Sequence, residues 1–211
     1  GATKEGTSAV HGAPLGDDVD NLRKFYNWEY KPFEITKDVY DQYEEVVKNR
    51  GLKAYNEWNE LFKDYAKQYP EDAKLFNEFL ANDYKLDLND YKDIDQSKKT
   101  ATRNINGEVI NITSKKFLNF IGGSADLTAS TKAKGADGHY DKNNRLGRNI
   151  NYGVREHAMG AIANGITLHG GLKTFTGAFF AFSDYMKPAI RLAAIMDIPT
   201  TFVFTHDSVA V

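Results

Sequence analysis

The segment Tyr152-Gly153-Val154-Arg155-Glu156-His157-Ala158-Met159-Gly160 puts a carboxylate beneath a glycine turn at the start of a helical pattern. The helix dipole stabilises negative charge at that place. On the residues alone Glu156 has two readings. A helix-capping acid is the commoner one. The other is a carboxylate that shares a proton with a bound base, which requires burial to keep water from competing and to hold the carboxyl pKa high. His157 is adjacent but points elsewhere on a helix, and is read as structural. His11 sits in the loop Thr7-Ser8-Ala9-Val10-His11-Gly12-Ala13-Pro14-Leu15-Gly16, and His206 follows an apolar run in Thr205-His206-Asp207-Ser208. A neutral imidazole near pH 7 can donate or accept a hydrogen bond in either place. Arg103, in Ala101-Thr102-Arg103, is a solvated helix charge or a planar fork for bidentate phosphate contact. Asp126 reads as a cap on the turn after Gly122-Gly123. Phe179 and Phe182, spaced by three, ordinarily mean core packing.

These residues need elements to hold them. Residues 1–16 have the composition of a tight loop. Residues 17–25 run from acidic to basic, as a short helix with a favourable dipole does, and Pro32 breaks the pattern. Thr36 is positioned to cap a helix carrying Val39, Tyr43, Val46 and Val47, and Gly51 is expected to end or bend it. Further helices are predicted over 52–68 and 71–82. Residues 83–99, dominated by Asp, Lys, Asn and Tyr, read as a linker, and the domain boundary is placed there. Beyond it a helix is predicted over 102–113 and a buried strand over 117–121 feeding a Gly122-Gly123 turn. A helix over 155–168 presents Ala158, Ile162, Gly165 and Ile166 to a sheet and ends at Gly170-Gly171. A strand over 172–176, a helix over 182–196 despite Pro188, and a strand over 200–204 complete the pattern.

This alternation indicates an α/β fold, a parallel sheet flanked by helices and preceded by a helical connector. Ligands in such sheets sit beyond the carboxyl ends of the strands. The rule singles out residues 124–126, 179–182 and 205–207.

The 211 residues are 41% hydrophobic, enough for a sizeable core. A formal charge of −2 offers no excess of Lys and Arg to a nucleic-acid backbone. The absence of cysteine excludes disulfides, thiolate zinc sites and thiol catalysis, and suits a reducing cytosol. No apolar run approaches the roughly 20 residues of a membrane helix, and no basic-then-apolar leader is present. A cytoplasmic protein is expected, without nucleic-acid or membrane partners. Gly1 in place of Met, and an apolar run that stops at Val211, suggest a fragment.

Taken together the motifs resemble transketolase. The similarity runs along nearly the whole chain, tightly over residues 7–16 and 97–211 and weakly across the connector. It implies that residues 1–96 are the tail of a diphosphate-binding domain plus a helical linker, and that 97–211 are the first part of a pyrimidine-binding domain, incomplete at its C-terminus. In the family the residue matching Glu156 hydrogen-bonds the aminopyrimidine of thiamine diphosphate and promotes the tautomer that activates the cofactor. The resemblance makes Glu156 catalytic, with Phe182 stacking on the cofactor and Asp126, Phe179 and Tyr185 beside it. His11 would touch both the diphosphate and the sugar, while Arg103, Ser130 and His206 would hold the sugar phosphate. Ala129 replaces the proline usual before that serine, and Ala210 stands where glycine is common.

The implied activity is reversible transfer of a two-carbon ketol group from a ketose phosphate to an aldose phosphate, in the carbohydrate metabolism of the pentose phosphate pathway. The metal, Mg²⁺ or Ca²⁺, would have its ligands outside this chain, on a Gly-Asp-Gly motif and a later Asn before Gly1. The family binds its cofactor between subunits, so a homodimer is implied. Dihydroxyacetone synthase and a non-catalytic interaction module are the alternatives, and this segment alone is expected to be inactive and to bind the cofactor poorly.

Overall fold

The computed structural model describes residues 4–82, 85–95, 97 and 99–207. The chain forms two compact units, Gly1–Lys67 and Gln68–Val211.

The first unit is helical. Thr7 accepts from the Ala9 amide at 3.3 Å and so caps a 3-10 turn, Ser8–Val10, that His11 closes. Helix α1 (Val19–Phe25) has Asp20 in its first turn and Arg23 and Lys24 in its last, the predicted polarity. Helix α2 (Lys37–Tyr43) follows Thr36, whose backbone is extended as an N-cap requires. The Thr36 hydroxyl bonds the Asp38 carboxylate instead of a backbone amide, and this holds the Asp38 carboxyl below its ordinary value. The helix widens into a π-helical stretch, Glu44–Asn49, and continues as α3 (Arg50–Gln68). The helix therefore does not end at Gly51. A glycine ends a helix by taking positive φ, and Gly51 does not. No described side chain before residue 68 is buried, so this unit has no core of its own among the described residues.

The second unit holds the sheet. Pro70 opens α4 (Pro70–Ala81), where its missing N–H is harmless, and left-handed Asn82 closes it. The Asn82 amide oxygen then accepts from Lys173 Nζ at 2.7 Å, joining the end of α4 to the sheet. The linker contains a 3-10 turn, Leu88–Tyr91, fastened to α5 (Thr102–Lys116) by the Tyr91–Thr113 hydroxyl pair at 2.9 Å and the Asp90–Lys116 ion pair.

Strands β1 (Phe120–Ser124), β2 (Lys173–Phe179) and β3 (Thr201–Thr205) form one parallel sheet in the order β1-β2-β3, with Phe120 opposite Lys173 and Phe179 opposite Thr205. Short α6 (Thr128–Thr131) follows β1, α7 (Glu156–His169) precedes β2, and α8 (Ser183–Ile195) joins β2 to β3. The parallel, helix-flanked sheet is the fold class the sequence predicts. Side chains of β2 alternate between two clusters. Phe175 packs with Ile110 of α5 and Ala133, whereas Ala178 packs with Met159 of α7 and Met186 of α8. Phe175, Met159 and Met186 are fully buried, each contributing roughly 2–3 kcal/mol of hydrophobic stabilisation.

Two expectations need correcting. The first strand lies three residues later than the 117–121 prediction and includes Gly122 and Gly123, which are not a turn. A Cβ at Gly122 would stand 2.1 Å from the Phe175 carbonyl oxygen, and one at Gly123 2.0 Å from that of Ile150, so these glycines admit neighbouring backbone. On α7 the buried face is Met159, Gly160, Ala163 and Asn164; Ile162 and Gly165 face outward. Close packing on α8 turns the helix this way, since a Cβ on Gly160 would lie 2.9 Å from Ala189 Cβ.

Candidate active site

All three strands deliver their carboxyl ends to one edge of the sheet, where β1 passes into Ala125-Asp126, β2 into a 3-10 turn Phe180–Phe182 and β3 into His206-Asp207. Glu156 is the first residue of α7, half-buried, and its N-cap neighbour Arg155 makes no side-chain cap. The Arg155 guanidinium donates to the Tyr152 carbonyl at 3.0 Å. Among the described residues the Glu156 carboxylate has no hydrogen-bond or ion-pair partner.

That carboxylate faces a cavity of about 290 Å³ lined by Ala125, Asp126, Leu127, Val154, Glu156, Phe182 and Tyr185. Four residues singled out from the sequence therefore meet at one hollow. Phe182 leans on the α7–α8 core cluster and lies 6.3 Å from Tyr185 between ring centroids. Phe179 does not line the cavity but sits behind Phe182, centroids 6.2 Å apart and planes 14° from parallel. Asp126 holds a left-handed backbone, φ +63°, which turns the chain sharply out of β1. No side-chain hydrogen bond from it caps that turn, and its exposed carboxylate borders the cavity.

A second group adjoins through Phe179. The His206 ring is 4.6 Å from the Phe179 ring, and the Arg103 guanidinium reaches His206 Nδ1 at 2.9 Å from the first turn of α5. Arg103 Nε is buried without an acceptor. Ser130 lies on α6 and lines neither the cavity nor the Arg103–His206 pair; its amide donates to Leu127 at 3.0 Å. His11 belongs to the first unit, where it is exposed at the end of its turn. Ser208 and Ala210 lie outside the described residues.

The cavity has room for one substituted ring. It offers such a ring aromatic and aliphatic walls and one carboxylate, which suits a planar nitrogen heterocycle that can donate to or share a proton with Glu156. Leu127 and Val154 complete those walls and were not singled out from the sequence, although each adjoins a residue that was. A larger hollow of about 740 Å³ lies between α5 and residues 132–139, without aromatic walls of this kind. No three His, Asp or Glu side chains gather as a metal site among the described residues, and no helix there is long and apolar enough to cross a membrane.

Family comparison supplies an independent line. Residues 1–84 match the thiamine diphosphate binding domain of transketolase, and residues 98–211 match its pyrimidine binding domain. A probable transketolase of Streptococcus pneumoniae is 46% identical over 99% of this chain and 32% of its own length. Bacillus subtilis transketolase is 45% identical over the same shares. Among solved structures, transketolase from Leishmania mexicana superposes with a TM-score of 0.80 at 30% identity, covering 95% of this chain and 30% of that one. A Pichia stipitis transketolase complex with sedoheptulose 7-phosphate gives 0.79 at 36% identity, covering 95% and 31%. The chain spans about a third of the length of the curated relatives it matches. Two domain matches in the family's order, with a carboxylate and an aromatic ring lining one hollow at the strand ends, lead to one conclusion: the chain belongs to the transketolase family.

Proposed function

We propose that a polypeptide of the relatives' length carrying this segment transfers a two-carbon ketol unit from a ketose phosphate to an aldose phosphate, using thiamine diphosphate. One observation carries this reading, the unpartnered Glu156 carboxylate in the same cavity as Phe182. Bound there, thiamine diphosphate supplies the carbon nucleophile that accepts the ketol unit. Glu156 holds and shares a proton at its ring nitrogen, Phe182 stacks on the ring, and Asp126, Phe179 and Tyr185 shape the space around it. Leu127 and Val154 complete the apolar wall beside Glu156. Arg103 and His206 hold the phosphate and a hydroxyl of the sugar, joined by Ser130. Pichia stipitis relatives described as complexes with sugar phosphates support this substrate class. A Mg²⁺ or Ca²⁺ ion held outside this chain, a homodimer and a cytoplasmic setting complete the reading.

The test is Glu156→Gln and Glu156→Ala in the longer polypeptide, assayed with saturating cofactor and ribose 5-phosphate as acceptor. Loss of a positioned proton-transfer group lowers kcat by about 100-fold or more. Ketol transfer at the unsubstituted rate in Glu156→Ala would overturn the assignment, and formaldehyde preferred over ribose 5-phosphate would redirect it to dihydroxyacetone synthase.

A further inference from the structure

The aromatic turn after β2 begins a helical run without a local cap. Phe179 stands at the N-cap of the 3-10 turn Phe180–Phe182, makes no side-chain capping bond, and the turn passes directly into α8. The first amides of such a run have no partner within the helix and need an acceptor from elsewhere. The structure provides one from a distant part of the chain. Asp207, two residues beyond β3, accepts from the Ala181 amide at 2.9 Å through Oδ1. A carboxylate suits this place because it both satisfies the amide and meets the positive end of the helix dipole.

The consequence reaches both groups of the site. Ala181 lies between Phe180 and Phe182, so the bond fixes the turn that presents Phe182 to the cavity. Asp207 also follows His206, whose ring rests on Phe179 at 4.6 Å. One carboxylate thereby pins the exit of β3 to the exit of β2.

We propose that Asp207 is a positioning residue that caps the Phe180–Phe182 turn from β3 and so holds Phe182 in register with the cofactor pocket and His206 in register with the sugar. The inference rests on the ketol-transfer reading above. Asp207 touches neither cofactor nor substrate in this role.

The test compares Asp207→Ala, Asp207→Asn and Asp207→Ser in a polypeptide of the relatives' length, with thiamine diphosphate and Mg²⁺. Losing the cap raises the cofactor concentration needed for half-maximal activity by roughly fivefold in Asp207→Ala, while kcat at saturating cofactor stays within about twofold. Asp207→Asn, whose amide oxygen can accept the same N–H, restores cofactor affinity. Asp207→Ser, too short to span the gap, behaves as Asp207→Ala and serves if that variant does not fold. Hydrogen exchange at the Ala181 amide is slow in the unsubstituted protein and Asp207→Asn, and fast in the other two. Unchanged cofactor affinity in Asp207→Ala, or Asp207→Asn as impaired as Asp207→Ala, overturns this proposal alone. An unsubstituted protein without ketol transfer overturns the functional reading as well.

Discussion

Arg103 and His206 stand 103 residues apart in sequence, yet the guanidinium of one lies 2.9 Å from an imidazole nitrogen of the other. The same guanidinium nitrogen is within reach of both ring nitrogens, and since arginine has only donors, the unprotonated one accepts. The pair joins the start of α5 to the end of β3, and a phosphate arriving there would meet the remaining donors of a fork already oriented. Arg103→Ala should therefore raise KM for phosphorylated sugars by roughly 10- to 100-fold, the size of a lost charge-assisted hydrogen bond. KM for an unphosphorylated acceptor should change little. Arg103→Lys should recover only part of the loss, because an ammonium cannot form the bidentate contact. Steady-state kinetics with paired phosphorylated and free sugars checks this.

Two glycines should respond in opposite directions to the same substitution. Gly123→Ala drives a methyl group to 2.0 Å from the Ile150 carbonyl oxygen, a clash with backbone that no rotamer relieves. It should destabilise the second unit by about 3 kcal/mol or more. Gly51→Ala meets nothing within 4 Å and lies inside a helix, where it should stabilise by about 1 kcal/mol. Urea unfolding of the 211-residue chain, followed by circular dichroism, measures both.

Tyr152 should impose a pH dependence at the alkaline end. Its hydroxyl is buried without a partner, and burial pushes the phenol up to about 12. A phenol that holds its proton more tightly when folded contributes stability that is fully present below its unfolded pKa of about 10 and lost as pH rises towards 12. The loss amounts to roughly 2–3 kcal/mol. Tyr152→Phe removes both this dependence and an unsatisfied donor, so at pH 8 it should be as stable as the unsubstituted chain or more so. Unfolding midpoints at pH 8, 10 and 12 test the difference.

Much of the architecture is legible in the sequence because its signals are local. Pro70, the acidic-to-basic order over 17–25 and Gly170-Gly171 act within a turn or two, and the elements fall where these residues place them. Gly122-Gly123 misleads because a glycine reads as a turn when taken locally, whereas here it answers to the backbones of Phe175 and Ile150. The buried face of α7 misleads for a related reason. Small residues occur on every side of that helix, and only the approach of Ala189 decides for Gly160. The strand-end rule singles out the three loops of the site from sequence alone, and the resemblance turns the reading of Glu156 from a cap into a catalyst. Asp207 could not be found in that way, since its partner amide is 26 residues distant and carries no side-chain signature. The compact units divide after Lys67, at the end of α3, where Pro70 marks a change of helix but nothing local marks a change of unit.

The interior of the second unit is held together by hydroxyls and amides as much as by hydrocarbon. Ser124 bonds Thr131 at 2.8 Å, Thr167 bonds Thr174 at 2.8 Å, and Asn164 donates to the Ala189 carbonyl at 2.8 Å. Polar surface lowers the heat capacity of unfolding where apolar surface raises it. Such an interior is expected to lower the heat capacity of unfolding below that of an all-hydrocarbon core of the same area, and so to flatten the dependence of stability on temperature.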